Sequence, residues 1–148
     1  MIGLGIAIVV TAIIWIMTFL LHELCHILEA MRQGASEGVI RVWKFGPIPS
    51  FVAEPGEIKN KFMFGLSGGL YSGITVGILA VIANMFHYTP FDYAFTALSA
   101  TNIIYSFFEA RYLFRMERSK YMIIHYLIYI AVMAIVTAFY WRRLAGWL

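Results

Sequence analysis

Ile13-Ile14-Trp15-Ile16-Met17-Thr18-Phe19-Leu20-Leu21-His22-Glu23-Leu24-Cys25-His26 is the stretch whose reading decides the fold. It closes an apolar run that begins at Ile2. A helix needs about 20 apolar residues to cross the hydrocarbon of a bilayer. The run has no basic segment ahead of it and exceeds the roughly 7–15 residues of a signal-peptide apolar region. It also ends in a charged motif rather than in small residues. The expectation is a membrane helix that stays in the protein.

Composition agrees. Of 148 residues, 61% are apolar and 13% are charged, against roughly 45–50% and about 25% in soluble domains, so the expected solvent is lipid. Three further stretches are long and apolar enough to span: about Phe64 to Phe86, Tyr93 to Phe114 and Tyr121 to Trp141, following a first helix from about Ile2 to Met31. The expected fold is an all-α membrane protein of about four transmembrane helices, forming one domain over residues 1–148. Between the first two helices, Gln33 to Phe62 is punctuated by Gly34, Gly38, Gly46, Pro47, Pro49, Pro55 and Gly56, which excludes a long helix. Val39-Ile40-Arg41-Val42-Trp43-Lys44-Phe45 and Phe51-Val52-Ala53 are rich in β-branched and aromatic residues around a Gly46-Pro47 turn signal. They predict one or two short strands, a hairpin-like segment at the membrane edge.

The net charge of +3 matters less than where the charges fall. Arg32, Arg41, Lys44, Lys59 and Lys61 lie in the first loop, and Arg111, Arg115, Arg118 and Lys120 in the third. The second loop, His87 to Asp92, has no Lys or Arg, and the tail has Arg142 and Arg143. Positive residues favour the cytoplasmic side, which predicts loops one and three inside and both termini outside. No basic amphipathic stretch with interleaved aromatics points to nucleic acid, and no Gly-rich loop to a phosphate cradle. The single cysteine, Cys25, excludes an intrachain disulfide.

His22-Glu23-Leu24-Cys25-His26 is an H-E-x-x-H sequence. Positions i and i+4 share a helix face, so His22 and His26 can present imidazole nitrogens to one metal ion. Glu23 is then placed as a general base for a water that zinc makes acidic, not as a ligand. Two imidazoles and a carboxylate in a lipid-spanning run are costly and mark function by default. Cys25 falls on another face and reads as a small packing residue. Catalytic zinc sites take three protein ligands. Glu29, Asp92, Glu109 and His125 are candidates for the third. Asp92 lies at the wrong end of the third helix, roughly 25 Å from Glu109 at 1.5 Å per residue. Glu109 matches His22 and His26 in depth and is favoured, with His125 and Glu29 left open. Gly65, Gly69, Gly73 and Gly77 recur every four residues and predict close helix packing; a substrate groove is the alternative use of that stripe.

With these residues in hand, the chain resembles the site-2 protease family of intramembrane zinc metalloproteases. The resemblance rests on Phe19 to His26 ending the first helix, the Phe45-Gly46-Pro47 loop, the Gly65-Leu66-Ser67-Gly68-Gly69 start of helix two, and Asn102 with Glu109 in helix three. It implies one zinc ion near the cytosolic side of the bilayer, a third ligand from helix three, and a transmembrane protein as substrate. It implies a catalytic role for Asn102 towards substrate backbone or the developing oxyanion. It also implies that a hairpin edge holds the extended substrate, here Val39 to Phe45 with Val39, Arg41 and Trp43 as contacts. This chain departs from the family pattern: Glu109 stands where an aspartate is usual, it follows Asn102 by seven residues rather than eight, no proline separates the two, Ala110 stands where a glycine closes the motif, and Cys25 replaces a glycine. The expected activity is zinc-dependent endoproteolysis within the membrane. A non-catalytic zinc-binding or sensing protein is the alternative.

Overall fold

The computed structural model describes residues 2–45, 48–87 and 91–147. Among them the chain forms α1 (Ile2–Arg32), β1 (Gly38–Phe45), β2 (Ile48–Pro55), α2 (Lys61–Met85), α3 (Phe91–Tyr112) and α4 (Arg118–Trp147). This is the expected helical membrane architecture with one small hairpin. Three segments are long and apolar enough to cross a membrane: Ala12–Arg32, Lys61–Met85 and Ser119–Trp141. Their outward faces are apolar, with Met17, Val81 and Ile130 each more than 60% exposed, as a lipid-facing surface requires.

The third helix is of a different kind. At 22 residues it is long enough to span, at about 1.5 Å per residue, but its polar groups keep it out of the apolar set. Asp92, Ser99, Thr101, Asn102, Ser106 and Glu109 are all buried. The helix lies between α2 and α4, so its polar side chains face protein and not lipid. The glycine stripe makes that possible. Gly65 lies against Ala110, Gly69 against Asn102 and Ser106, and Gly73 against Ile103 and Ser99. The stripe is therefore a packing seam between α2 and α3, the first of the two uses expected for it.

Local signals set the ends that matter for the site. Gly34 takes φ +101° after α1. Ala35 N–H then bonds to Ala30 O at 3.0 Å and Gly34 N–H to Met31 O at 2.9 Å, the paired bonds of a Schellman stop. Asn60 caps α2 by accepting from Met63 N–H at 3.0 Å. Gln33 accepts from Asn60 N–H at 2.6 Å and donates to Asn60 O at 3.2 Å. The end of α1 is thus tied to the start of α2.

β1 and β2 pair antiparallel from Gly38↔Pro55 to Phe45↔Ile48. Gly46 and Pro47, the turn signal, lie outside the described residues, as does the Trp43 side chain. Phe51-Val52-Ala53 marked the second strand in the sequence; it runs from Ile48 to Pro55 and includes two prolines. A proline is tolerated where the N–H would point away from the partner strand, and both prolines fall on that parity.

Candidate metal centre

His22 and His26 lie one turn apart on α1, with ring centroids 4.9 Å apart. Each ring is fixed through Nδ1. His22 Nδ1 lies 3.3 Å from Asn102 Oδ1, and His26 Nδ1 lies 2.7 Å from the Phe64 carbonyl oxygen. Both partners are acceptors, so Nδ1 carries a proton in each ring and the two Nε2 atoms turn inward. The two Nε2 atoms stand 3.2 Å apart. Glu109 completes the group from α3, with Oε2 at 2.9 Å from His22 Nε2 and Oε1 at 3.3 Å from His26 Nε2. Two imidazole nitrogens and a carboxylate, each nine-tenths buried or more, thus converge as a donor set that can hold a metal ion when both Nε2 atoms are unprotonated.

Two further features fit a bound ion. A Cβ added to Gly68 would overlap His26 Nε2 and come within 2.8 Å of His22 Nε2. Gly68 therefore keeps open the space these nitrogens face. Oriented rings also need outer partners, and these are present: Asn102 Oδ1 also accepts from Tyr129 OH at 3.0 Å, and Tyr121 OH donates to Glu109 Oε1 at 2.7 Å.

His22, His26 and Glu109 form the one metal-competent group of His, Cys, Asp and Glu among the described residues. The other third-ligand candidates are elsewhere or engaged. Glu29 is held by Arg32 through two contacts of 2.7 Å and by Gln33 at 2.9 Å. Asp92 accepts from Tyr140 OH at 3.0 Å at the far end of α3. His125 stacks on Tyr129 at 4.7 Å and lies edge-on to Tyr105 at 4.2 Å, outside the three-atom group.

A cavity of about 490 Å³ opens onto the triad between α1, β2 and the start of α4. Phe19, Ile58, Leu113, Met116 and Met122 supply apolar wall, and Glu23 lines it beside His22 and His26. Glu23 Oε2 accepts from Ala53 N–H of β2 at 2.6 Å. Asn102 is fully buried and not part of the cavity wall; its observed contact is with a triad histidine. Val39 and Arg41 are exposed on β1, where Arg41 pairs with Glu54 at 2.8 Å, and neither lines the cavity. From the hairpin, Ala53 and Glu54 of β2 reach it. Gly68, Tyr121, Tyr129 and Ala53 thus join the site without a site role having been given to any of them from the sequence. Gly68 had been noted only within the glycine-rich start of α2, and Ala53 only within a strand.

No family model, curated protein or solved structure matches this chain.

Proposed function

We propose that the protein is a zinc-dependent endopeptidase of the membrane, acting on membrane-spanning or membrane-associated protein chains. The observation that carries this is the meeting of His22, His26 and Glu109 lone pairs beside Glu23 on the wall of one cavity. Ligand atoms at about 2.0–2.1 Å from a tetrahedral zinc lie about 3.3–3.4 Å from one another. The two Nε2 atoms here are 3.2 Å apart, and one Glu109 oxygen faces each of them, Oε2 at 2.9 Å from His22 and Oε1 at 3.3 Å from His26. The nitrogen and oxygen donor set is one zinc takes at catalytic sites, with a fourth position left open.

Zinc bound there supplies Lewis acidity towards water and a carbonyl oxygen. The chain's own residues do the rest. Glu23 is adjacent in sequence to a ligand and is not itself one, the position of a proton acceptor. It takes the proton from the attacking water and returns it to the leaving amine. Asn102 and Phe64 hold the two imidazoles in the tautomer that offers Nε2, and Tyr121 holds the Glu109 carboxylate. The apolar cavity wall suits aliphatic or aromatic side chains of a transmembrane segment. The basic residues of the first and third loops lie at the same end of the bundle as the triad. By the charge rule that end faces the cytoplasm, and water reaches the site from there.

Glu23→Gln in reconstituted vesicles tests the assignment. Zinc content should be unchanged, while cleavage of a transmembrane substrate falls by roughly 10²–10⁴-fold, the usual worth of a general base. Retention of full cleavage would defeat the mechanism. Absence of cleavage by the wild-type protein, with zinc bound, would favour a non-catalytic zinc protein.

A further inference from the structure

Resting on Glu23 as the base, we propose that the main-chain N–H of Ala53 is a positioning group for that carboxylate, which makes the hairpin a working part of the site. The Ala53 N–H reaches Glu23 Oε2 at 2.6 Å across 30 positions of sequence. Strand parity explains why this amide is free to do so. In an antiparallel pair, residues alternate between those bonded to the partner strand and those whose N–H and C=O point away. The Phe45↔Ile48 pair closes the hairpin, so Ser50, Val52 and Glu54 point inward, and Pro49, Phe51, Ala53 and Pro55 point outward. Two of those four outward positions are prolines with no N–H. The outer edge of β2 therefore offers two amide donors, at Phe51 and Ala53, and the second is bound to Glu23.

The contact suits a base. A glutamate on a helix has several rotamers to lose, and a charge-assisted bond at one oxygen fixes the side chain. Oε1 accepts no hydrogen bond among the described residues, which leaves it for the proton. Both partners line the cavity that holds the triad, so the bond spans from the metal-binding helix to the strand that walls the same space.

Amide hydrogen exchange, read residue by residue by NMR on the detergent-solubilised protein, tests the bond without reference to activity. In the wild type, Ala53 should exchange at least roughly tenfold more slowly than Phe51, its outward neighbour, as a protected amide does. In Glu23→Ala, Ala53 should exchange as fast as Phe51 while Val52 and Glu54 stay protected. Equal rates at Ala53 and Phe51 in the wild type, or no change in Glu23→Ala, would overturn the proposal. Ala53→Pro tests the consequence, because an outward position loses no ladder bond. Zinc content and KM should hold, and kcat should fall roughly 10- to 100-fold from a misplaced base. An undiminished kcat would overturn positioning. Failure of the wild type to cleave any substrate would instead count against the peptidase assignment, with the exchange contrast still deciding the bond.

Discussion

A methyl group at Gly68 has no room. It would overlap Nε2 of His26 and crowd Nε2 of His22, the two nitrogens proposed to share an ion. Alanine is otherwise the better helix former by about 1 kcal/mol, so Gly68→Ala should leave α2 helical, or firmer, while stoichiometric zinc is lost. Metal analysis of the purified variant, alongside its circular dichroism, reads both effects; full zinc content would show that the space is not needed. At this scale the sequence was readable in part. His22 and His26 could be paired because a helix repeats every 3.6 residues, and Glu109 could be chosen over Asp92 because depth along a parallel helix follows from counting. Gly68 and Ala53 could not be assigned that way. Their roles depend on how closely α2 and β2 approach α1, which is a property of packing between segments far apart in the chain. Asn102 was singled out for a role towards substrate; its contacts in the structure are with His22 and Tyr129.

Between elements, the α2–α3 seam does the structural work. Four buried hydroxyl and amide side chains in the middle of α3, Ser99, Thr101, Asn102 and Ser106, would be expensive against lipid. They are tolerated because glycines let α2 cover them. Ser99 Oγ donates to Gly73 O at 2.8 Å across the seam, and a Cβ at Gly73 would come within 2.6 Å of Ile103. Gly73→Val should therefore force the helices apart, with an overpacking cost of about 1–3 kcal/mol, seen as a lower thermal midpoint in detergent. Zinc should still bind in the folded fraction, since Gly73 lies more than one turn from Gly68. An unchanged midpoint would remove the seam from the account. The helices were legible from apolar run length, and α1 ends close to where Gly34 signals it. The second strand was only partly legible. Prolines ordinarily demote a strand, and their outward parity on β2 shows itself only once the register with β1 is known.

For the whole molecule, the question is which way the bundle sits. Three helices are long and apolar enough to cross a membrane, which leaves the sidedness unfixed. The hairpin, the triad and the loops bearing Arg32, Arg41, Lys59, Lys61, Arg111, Arg115 and Lys120 all lie at one end, and the other end has a loop without Lys or Arg. A membrane-impermeant thiol reagent can distinguish the two ends. The one native thiol, Cys25, is buried and can be removed as Cys25→Ser. In that background, Glu57→Cys, in the exposed loop before α2, should be labelled in inside-out vesicles and protected in right-side-out ones. His87→Cys, exposed beyond the end of α2, should show the reverse. The opposite pattern would place the triad on the outer face, where the charge rule and a cytoplasmic route for water would both fail. The agreement of the two sites matters more than either alone. An odd number of crossings between them is what α2 as a true span demands, whereas labelling of both from one side would mean that Lys61–Met85 does not cross at all.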